Sequence, residues 1–307
     1  MNEKTIFYTP ATGYPDLEAK IAYGLARVGI EAFESEKVLI KPLSGYYAVK
    51  IDGNRDKLNK AFNFLCKRIL RSGYIFSSTP GIKGKAIKAL VVKEKEYTLE
   101  QYVSLKSLLE NKKSEAICRH ESKELVGAIL GLAAETSYHR SRNKIDIQGT
   151  GRPTNPKRLC KSCALLATLG TWYASFIFNI AKKEVMVIPT PKNEIRGEDI
   201  EKIFSIQHML RKEYIKSDIP SNLIPLIFLS EIPSATSILW NFDLFVALYF
   251  SPGNRGYHIE NISLIPIENY LGFLEDPYNV ATVDEMKVRG AFKALQELNK
   301  IIGCVSR

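Results

Sequence analysis

Apolar residues recur at helical spacing near the start of the chain. Leu17, Ile21, Leu25 and Val28 fall on one face of a segment in which Asp16, after Pro15, can cap the first turn, so residues 16–28 are predicted to form an amphipathic helix. Residues 38–40 and 46–51 then predict two strands about a Pro-Leu-Ser-Gly turn, the second placing Tyr47, Val49 and Ile51 on one side. Residues 56–72 return to helix with Leu58, Ala61, Phe62, Leu65 and Ile69 inward. The opening third reads as a compact α+β unit.

The pattern then breaks. Residues 77–85 hold two glycines and a proline and read as a loop, made basic by Lys83, Lys85 and the nearby Lys88. A helix over 97–110, a polar connector over 111–119 and a short Gly- and Ala-rich helix over 125–134 follow. Residues 149–156, Gly-Thr-Gly-Arg-Pro-Thr-Asn-Pro, suit neither helix nor strand. Cys160 and Cys163 lead into the most apolar stretch, 164–181, which Thr168, Thr171, Ser175 and Asn179 interrupt, so it reads as a buried helix and not a membrane span. The last third predicts a strand at 185–188, helices at 198–216 and 220–230, strands at 245–250 and 262–267, and a closing helix at 284–302. The expected class is α+β, a mixed sheet and helices with an inserted basic loop and a candidate zinc clip. The expected segments are an N-terminal α+β domain (1–115), a Cys/His and basic-loop insert with the buried helix (116–182), and a mixed C-terminal region (183–307).

Composition narrows the partners. With 307 residues and 45% apolar content the chain can bury one large core or two smaller ones, and 25% charged residues exclude a disordered or fibrous polymer. Residues 1–14 place Glu3, Lys4, Pro10 and Gly13 where a secretory signal needs an apolar run, so a cytoplasmic protein is expected, with no membrane partner. Five cysteines at uneven spacing disfavour a secreted disulfide framework and leave thiols or a metal site. The net charge of +10 favours a polyanionic partner. Its distribution sharpens this. Between His139 and Cys163, Arg140, Arg142, Lys144, Arg152, Lys157, Arg158 and Lys161 face only Asp146, a local charge of +6.

Two constellations could carry chemistry. Cys118-x-His120 and Cys160-x-x-Cys163 are short ligand pairs of the kind that completes a Cys3His zinc site. A CxxC opening a helix can also be a redox pair, although no thioredoxin-like βαβ pattern surrounds it, and both pairs could equally be half-buried cysteines beside an exposed histidine. Cys66 and Cys304 fit helical core positions. In the basic window, Arg140, Arg142, Asn143 and Lys144 can stand together at a loop tip, with Asn143 and Lys144 the expected base readers. Arg152, Asn155, Lys157 and Arg158 lie beyond the Gly-Thr-Gly turn, where phosphate contact is expected. Lys83 and Lys85 form a second basic candidate. The bland alternative is a solvated charged face. No phosphate-binding loop, dinucleotide fingerprint, HExxH, GxSxG or deaminase set occurs, so the expectation is a binding protein and not an enzyme.

Several short motifs carry a resemblance: Ile6-Phe-Tyr-Thr-Pro10, Lys20-Ile-Ala-Tyr-Gly-Leu25, Lys57-Leu-Asn59, Leu65-Cys-Lys-Arg68, Ser78-Thr-Pro-Gly81, Cys118-Arg-His120, residues 140–144 and Leu159-Cys-Lys-Ser-Cys163. Together they resemble the archaeal large subunit of the type I-A CRISPR surveillance complex (Cascade), over roughly residues 5–175. The resemblance implies a non-catalytic subunit near the crRNA 5′ end that inspects the protospacer-adjacent motif of double-stranded target DNA and helps open the duplex. Its implied partners are crRNA, the backbone and handle-binding subunits, and a helicase-nuclease effector. It assigns no individual arginine. The competing readings are a zinc-clipped RNA-binding protein of RNA processing or ribosome assembly, and a small redox enzyme built on the CxxC.

Overall fold

The structure, a computed structural model, describes residues 4–71, 99, 125–126, 159–180, 183–209, 214–215, 223–232, 236–250 and 258–289. Within them the chain has an α+β fold.

Strand β1 (Lys4–Tyr8) leads through Pro10 and Gly13 to helix α1 (Pro15–Ala32), which opens with proline in its first turn beside Asp16 and Glu18. A short 3-10 turn precedes β2 (Val38–Leu43) and β3 (Tyr46–Asp52), a hairpin closed by Ser44 and Gly45. Gly45 takes the positive φ of 80° that the tight turn needs. Helix α2 (Arg55–Arg71) follows. α1, β2, β3 and α2 fall where periodicity places them, although β1 is not among the expected strands and β2 runs on through Pro42 and Leu43 of the expected turn; β3 buries Tyr47, Val49 and Ile51 on one side as its alternation requires. The expected amphipathicity of α1 is wrong. Its residues are buried nearly all round, Asp16, Glu18 and Lys20 included. The reason is position: the hairpin covers one side of the helix, and a second helix covers the other.

That second helix is α3 (Lys161–Ala174). It is preceded by two short strands, β4 (Leu125–Val126) and β5 (Leu159–Cys160), which pair antiparallel. Leu125 and Val126 are therefore extended and do not begin a helix. The helix expected over 164–181 ends at Ala174, and Phe176–Ile180 forms strand β6, whose burial alternates along Phe-Ile-Phe-Asn-Ile. The aromatic and β-branched residues after Ser175 prefer a pleated surface, which overrides the apolar run.

Strands β7 (Lys183–Pro191) and β8 (Ile195–Arg196) lead to α4 (Gly197–Met209), and Tyr214–Ile215 is strand β9, so the helix expected to reach residue 216 stops short. Helices α5 (Ile224–Ser230) and α6 (Thr236–Leu239) precede the long strands β10 (Phe242–Phe250) and β11 (His258–Pro266), then α7 (Glu268–Leu274) and α8 (Pro277–Arg289). The final helix thus starts before residue 284, and its expected extension to 302 lies outside the described residues, as do the expected loop at 77–85 and all but Leu99 of the helix at 97–110.

Among the described residues, two larger sheets result beside the β4–β5 pair, in the orders β1-β3-β2-β8 and β11-β10-β7-β6-β9, antiparallel except for the parallel β6–β9 pair. Strand β8 joins the N-terminal sheet, pairing Ile195 with Ile40. One continuous buried core runs from Phe7 through α1 and α3 to Val283 and is shared by all three segments. Its centre is the crossing of α1 on α3. A Cβ on Gly24 would lie 2.1 Å from the Leu166 carbonyl oxygen, and one on Gly170 would lie 1.8 Å from that of Lys20. The two backbones touch at two points one helical turn apart.

Candidate functional site

Most of the residues expected to bind nucleic acid or zinc lie outside the described residues: Arg140, Arg142, Asn143, Lys144, Arg152, Asn155, Lys157, Arg158, Lys83, Lys85, Cys118 and His120. Cys160 and Cys163 are described. Cys160 is the N-cap of α3, its Sγ accepting a hydrogen bond from the Cys163 amide at 3.3 Å, and both residues are fully buried. A Cys-x-x-Cys pair at the start of a helix has the spacing of half a tetrahedral zinc site. Among the described residues no group of three or more His, Cys, Asp or Glu side chains is placed to hold a metal.

The β4–β5 ladder adds a constraint on the basic window. Leu125 pairs with Cys160 and Val126 with Leu159, so both ends of segment 127–158 are fixed side by side at the start of α3. Helix α3 is itself locked against α1 through Gly170. Leu125–Val126 and Leu159–Cys160, which flank the cationic segment in sequence, are thus held together at the start of α3.

A second cluster was not apparent from the sequence. Where α1, α2, α3 and α4 meet, a cavity of about 380 Å³ is lined by Arg27, Arg68, Ile69, Trp172, Tyr173, Glu201, Phe204, Ser205, Gln207 and His208. Its floor is preorganised. The Tyr173 ring lies 5.7 Å from that of Phe204, which packs edge-on to Tyr23 at 6.1 Å. The Arg27 guanidinium sits 4.9 Å from the centre of the Tyr173 ring and is held from behind by an ion pair with Glu31. Gln207 donates to the buried Ser175 carbonyl at 2.9 Å and ties α4 to the end of α3. At the rim, Arg68, Glu201, Ser205 and His208 are exposed. The signals available beforehand were modest: an aromatic doublet, Trp172-Tyr173, at the end of an apolar helix, and Arg27 interrupting the polar face of α1.

The strongest electrostatics lie elsewhere. Lys20 Nζ and Asp16 Oδ2 form a 3.0 Å ion pair, both side chains being completely buried, and burial holds the Lys20 ammonium below its usual pKa despite Asp16. The Glu18 carboxyl is pushed up to about 7 by burial, against hydrogen bonds to its Oε1 from the Thr12 hydroxyl at 2.9 Å, the Thr12 amide at 2.6 Å and the Gly13 amide at 2.8 Å; nearby Asp16 adds to the rise. Tyr23, buried and donating to the Pro189 carbonyl at 2.6 Å, is raised well above 10. These groups are buried in the core, and none of them lines the cavity between the four helices.

Comparison with protein-family models and with curated proteins finds no match to this chain.

Proposed function

We propose that this chain is a non-catalytic, nucleic-acid-binding large subunit of a type I-A CRISPR interference complex, which recognises the protospacer-adjacent motif in target DNA and stabilises duplex opening near the crRNA 5′ end. The observation that supports it most is the position of the basic segment: residues 127–158, of local charge +4, are flanked by Leu125–Val126 and Leu159–Cys160, which pair at the N-terminus of a helix locked into the core. Guide pairing supplies most of the sequence information in such a complex, so the protein needs strong backbone electrostatics and a short base readout. A rigidly rooted cationic segment provides the first through phosphate contacts and the second through one or two residues at its tip. About four phosphate contacts would give a log–log salt slope of roughly −3 to −4. In this reading zinc, held by Cys118, His120, Cys160 and Cys163, clips the root of the segment, and the chain works in the cytoplasm with crRNA and its partner subunits.

Purification of the tagged chain from its native cell, followed by sequencing of the bound nucleic acid, tests this reading. Small crRNAs sharing one 5′ handle are expected; ribosomal or other folded RNA in their place would favour the zinc-clipped RNA-binding alternative. The zinc clip has a separate test in Cys160→Ser, because serine keeps the helix cap and removes a metal ligand. Loss of close to one bound zinc per chain together with a lower Tm supports the clip. An unchanged Tm and no bound metal in the unaltered chain overturn it.

A further inference from the structure

We infer that the cavity between α1, α2, α3 and α4 holds one unstacked nucleotide of a single-stranded nucleic acid, a site separate from the basic window. The inference rests on the nucleic-acid part of the proposed function and is independent of the CRISPR assignment. Its volume of about 380 Å³ is in the range of pre-formed small-ligand sites and is too small for a duplex or a folded domain. Its chemistry is what a nucleotide presents. Trp172 and Tyr173 supply flat apolar walls for a base. Arg27, already stacked on Tyr173 and neutralised by Glu31, offers a guanidinium plane as a further stacking surface and not a free charge. Arg68 is different: it is exposed at the rim and has no carboxylate within ion-pairing distance among the described residues, which leaves it for a phosphate. Glu201 and Ser205 add an acceptor and a hydroxyl at the same rim for the polar edge of a base or a ribose. A purely apolar partner would leave Arg68 and Glu201 desolvated without compensation, and a simple anion would have no use for the aromatic walls.

The cavity carries its own reporter. The chain has two tryptophans, and Trp240 lies at the end of α6, so the Trp240→Phe variant of the full chain emits from Trp172 alone. Titration with a labelled single-stranded octanucleotide gives two readouts: label anisotropy for nucleic-acid binding, and Trp172 emission for occupancy of the cavity. The expected result is saturable quenching that tracks anisotropy, weakened roughly tenfold or more by Tyr173→Leu and by Arg68→Ala, with nucleoside monophosphates quenching only at much higher concentration and inorganic phosphate not at all. Arg68→Ala alters an exposed side chain and keeps the test independent of folding. Octanucleotide binding that leaves Trp172 emission unchanged, or quenching indifferent to Arg68→Ala, overturns the cavity while sparing the proposed function. Monophosphates binding as tightly as the octanucleotide make the ligand a free nucleotide and overturn the single strand. No binding in either readout overturns the cavity together with the nucleic-acid part of the proposed function on which it rests.

Discussion

Helices α1 and α3 meet twice, and the two meetings differ in kind. At the crossing, Gly24 and Gly170 let backbone touch backbone, and the charges nearby, Asp16 and Lys20, are sealed completely. Elsewhere the same two helices meet through side chains, the Arg27 guanidinium lying against the Tyr173 ring, and α2 and α4 complete the walls of an open cavity. A charge in this interface is thus walled in where the backbones touch and left more accessible where large side chains border the cavity. A buried pair contributes to holding the fold and little to recognition; an exposed one contributes little to stability and is free to act.

The first way to break this contrast is to leave a charge stranded at the closed end. Lys20→Met removes the partner of a fully buried carboxylate and is expected to cost about 3–5 kcal/mol in urea unfolding. The double variant Asp16→Leu/Lys20→Met removes both charges and should recover much of that loss. If the double variant is as unstable as the single one, the pair is needed for more than mutual neutralisation. Next in size is Gly170→Ala, whose new methyl would sit 1.8 Å from the Lys20 carbonyl carbon's oxygen, a backbone atom that cannot turn aside. About 3 kcal/mol is expected, the upper part of the range for overpacking, and a Tm within a degree of the unaltered chain would show that the helices can part without loss.

The closed end also predicts a pH response. The Glu18 pKa is raised in the folded chain, from an ordinary value near 4.5 to about 7, so folding favours its protonated form. The associated stability is fully present below pH 4.5 and is lost as pH rises through 7. Between pH 5 and 8 this amounts to about 2 kcal/mol, with Glu184, also raised to about 7 by burial, acting in the same direction. Comparing Glu18→Gln with the unaltered chain cancels every other group. The variant should lose about that much of the pH dependence, and identical profiles would place Glu18 in a better-solvated setting than its burial indicates.

Much of this fold could be read from the chain, and the exceptions have a common cause. Helices α1 and α2 and the β2–β3 hairpin follow from local periodicity, because one apolar face or stripe suffices to define each. The misread positions are those where tertiary neighbours decide. Leu125–Val126 becomes a strand through pairing with Leu159–Cys160, and Phe176–Ile180 through pairing with β7. Likewise Asp16 and Lys20 look like the solvated face of an amphipathic helix until α3 covers them. Of the candidate site residues, Cys160 and Cys163 are expected to lead into the apolar helix, and they stand at its start. The cavity was not legible, since Arg27, Arg68, Tyr173 and Phe204 come from four separate helices and only folding brings them together.

At the open end smaller stability effects are expected. Arg27→Met keeps the apolar stem but removes the guanidinium from the Tyr173 ring and from Glu31. About 1 kcal/mol is expected, because the ion pair is partly solvated and the ring contact is a single cation–π interaction. A loss above 3 kcal/mol would mean that this end is sealed like the crossing.

The smallest stability effect belongs to Arg68, and it discriminates best between the two ends. The side chain is exposed and forms no ion pair among the described residues, so Arg68→Ala should leave unfolding free energy within about 0.5 kcal/mol of the unaltered chain. If Arg68 neutralises one phosphate, the same change should reduce the slope of log affinity against log salt for a single strand by about 0.7. Lys20→Met, corrected for its fraction unfolded, should leave that slope untouched. Measuring both variants for stability and for salt slope places them on opposite axes: one unfolds without changing recognition, the other changes recognition without unfolding. Should Arg68→Ala destabilise the chain by more than 1 kcal/mol, its guanidinium is a structural part of α2 packing. Among the described residues, the open end would then lose its candidate phosphate contact.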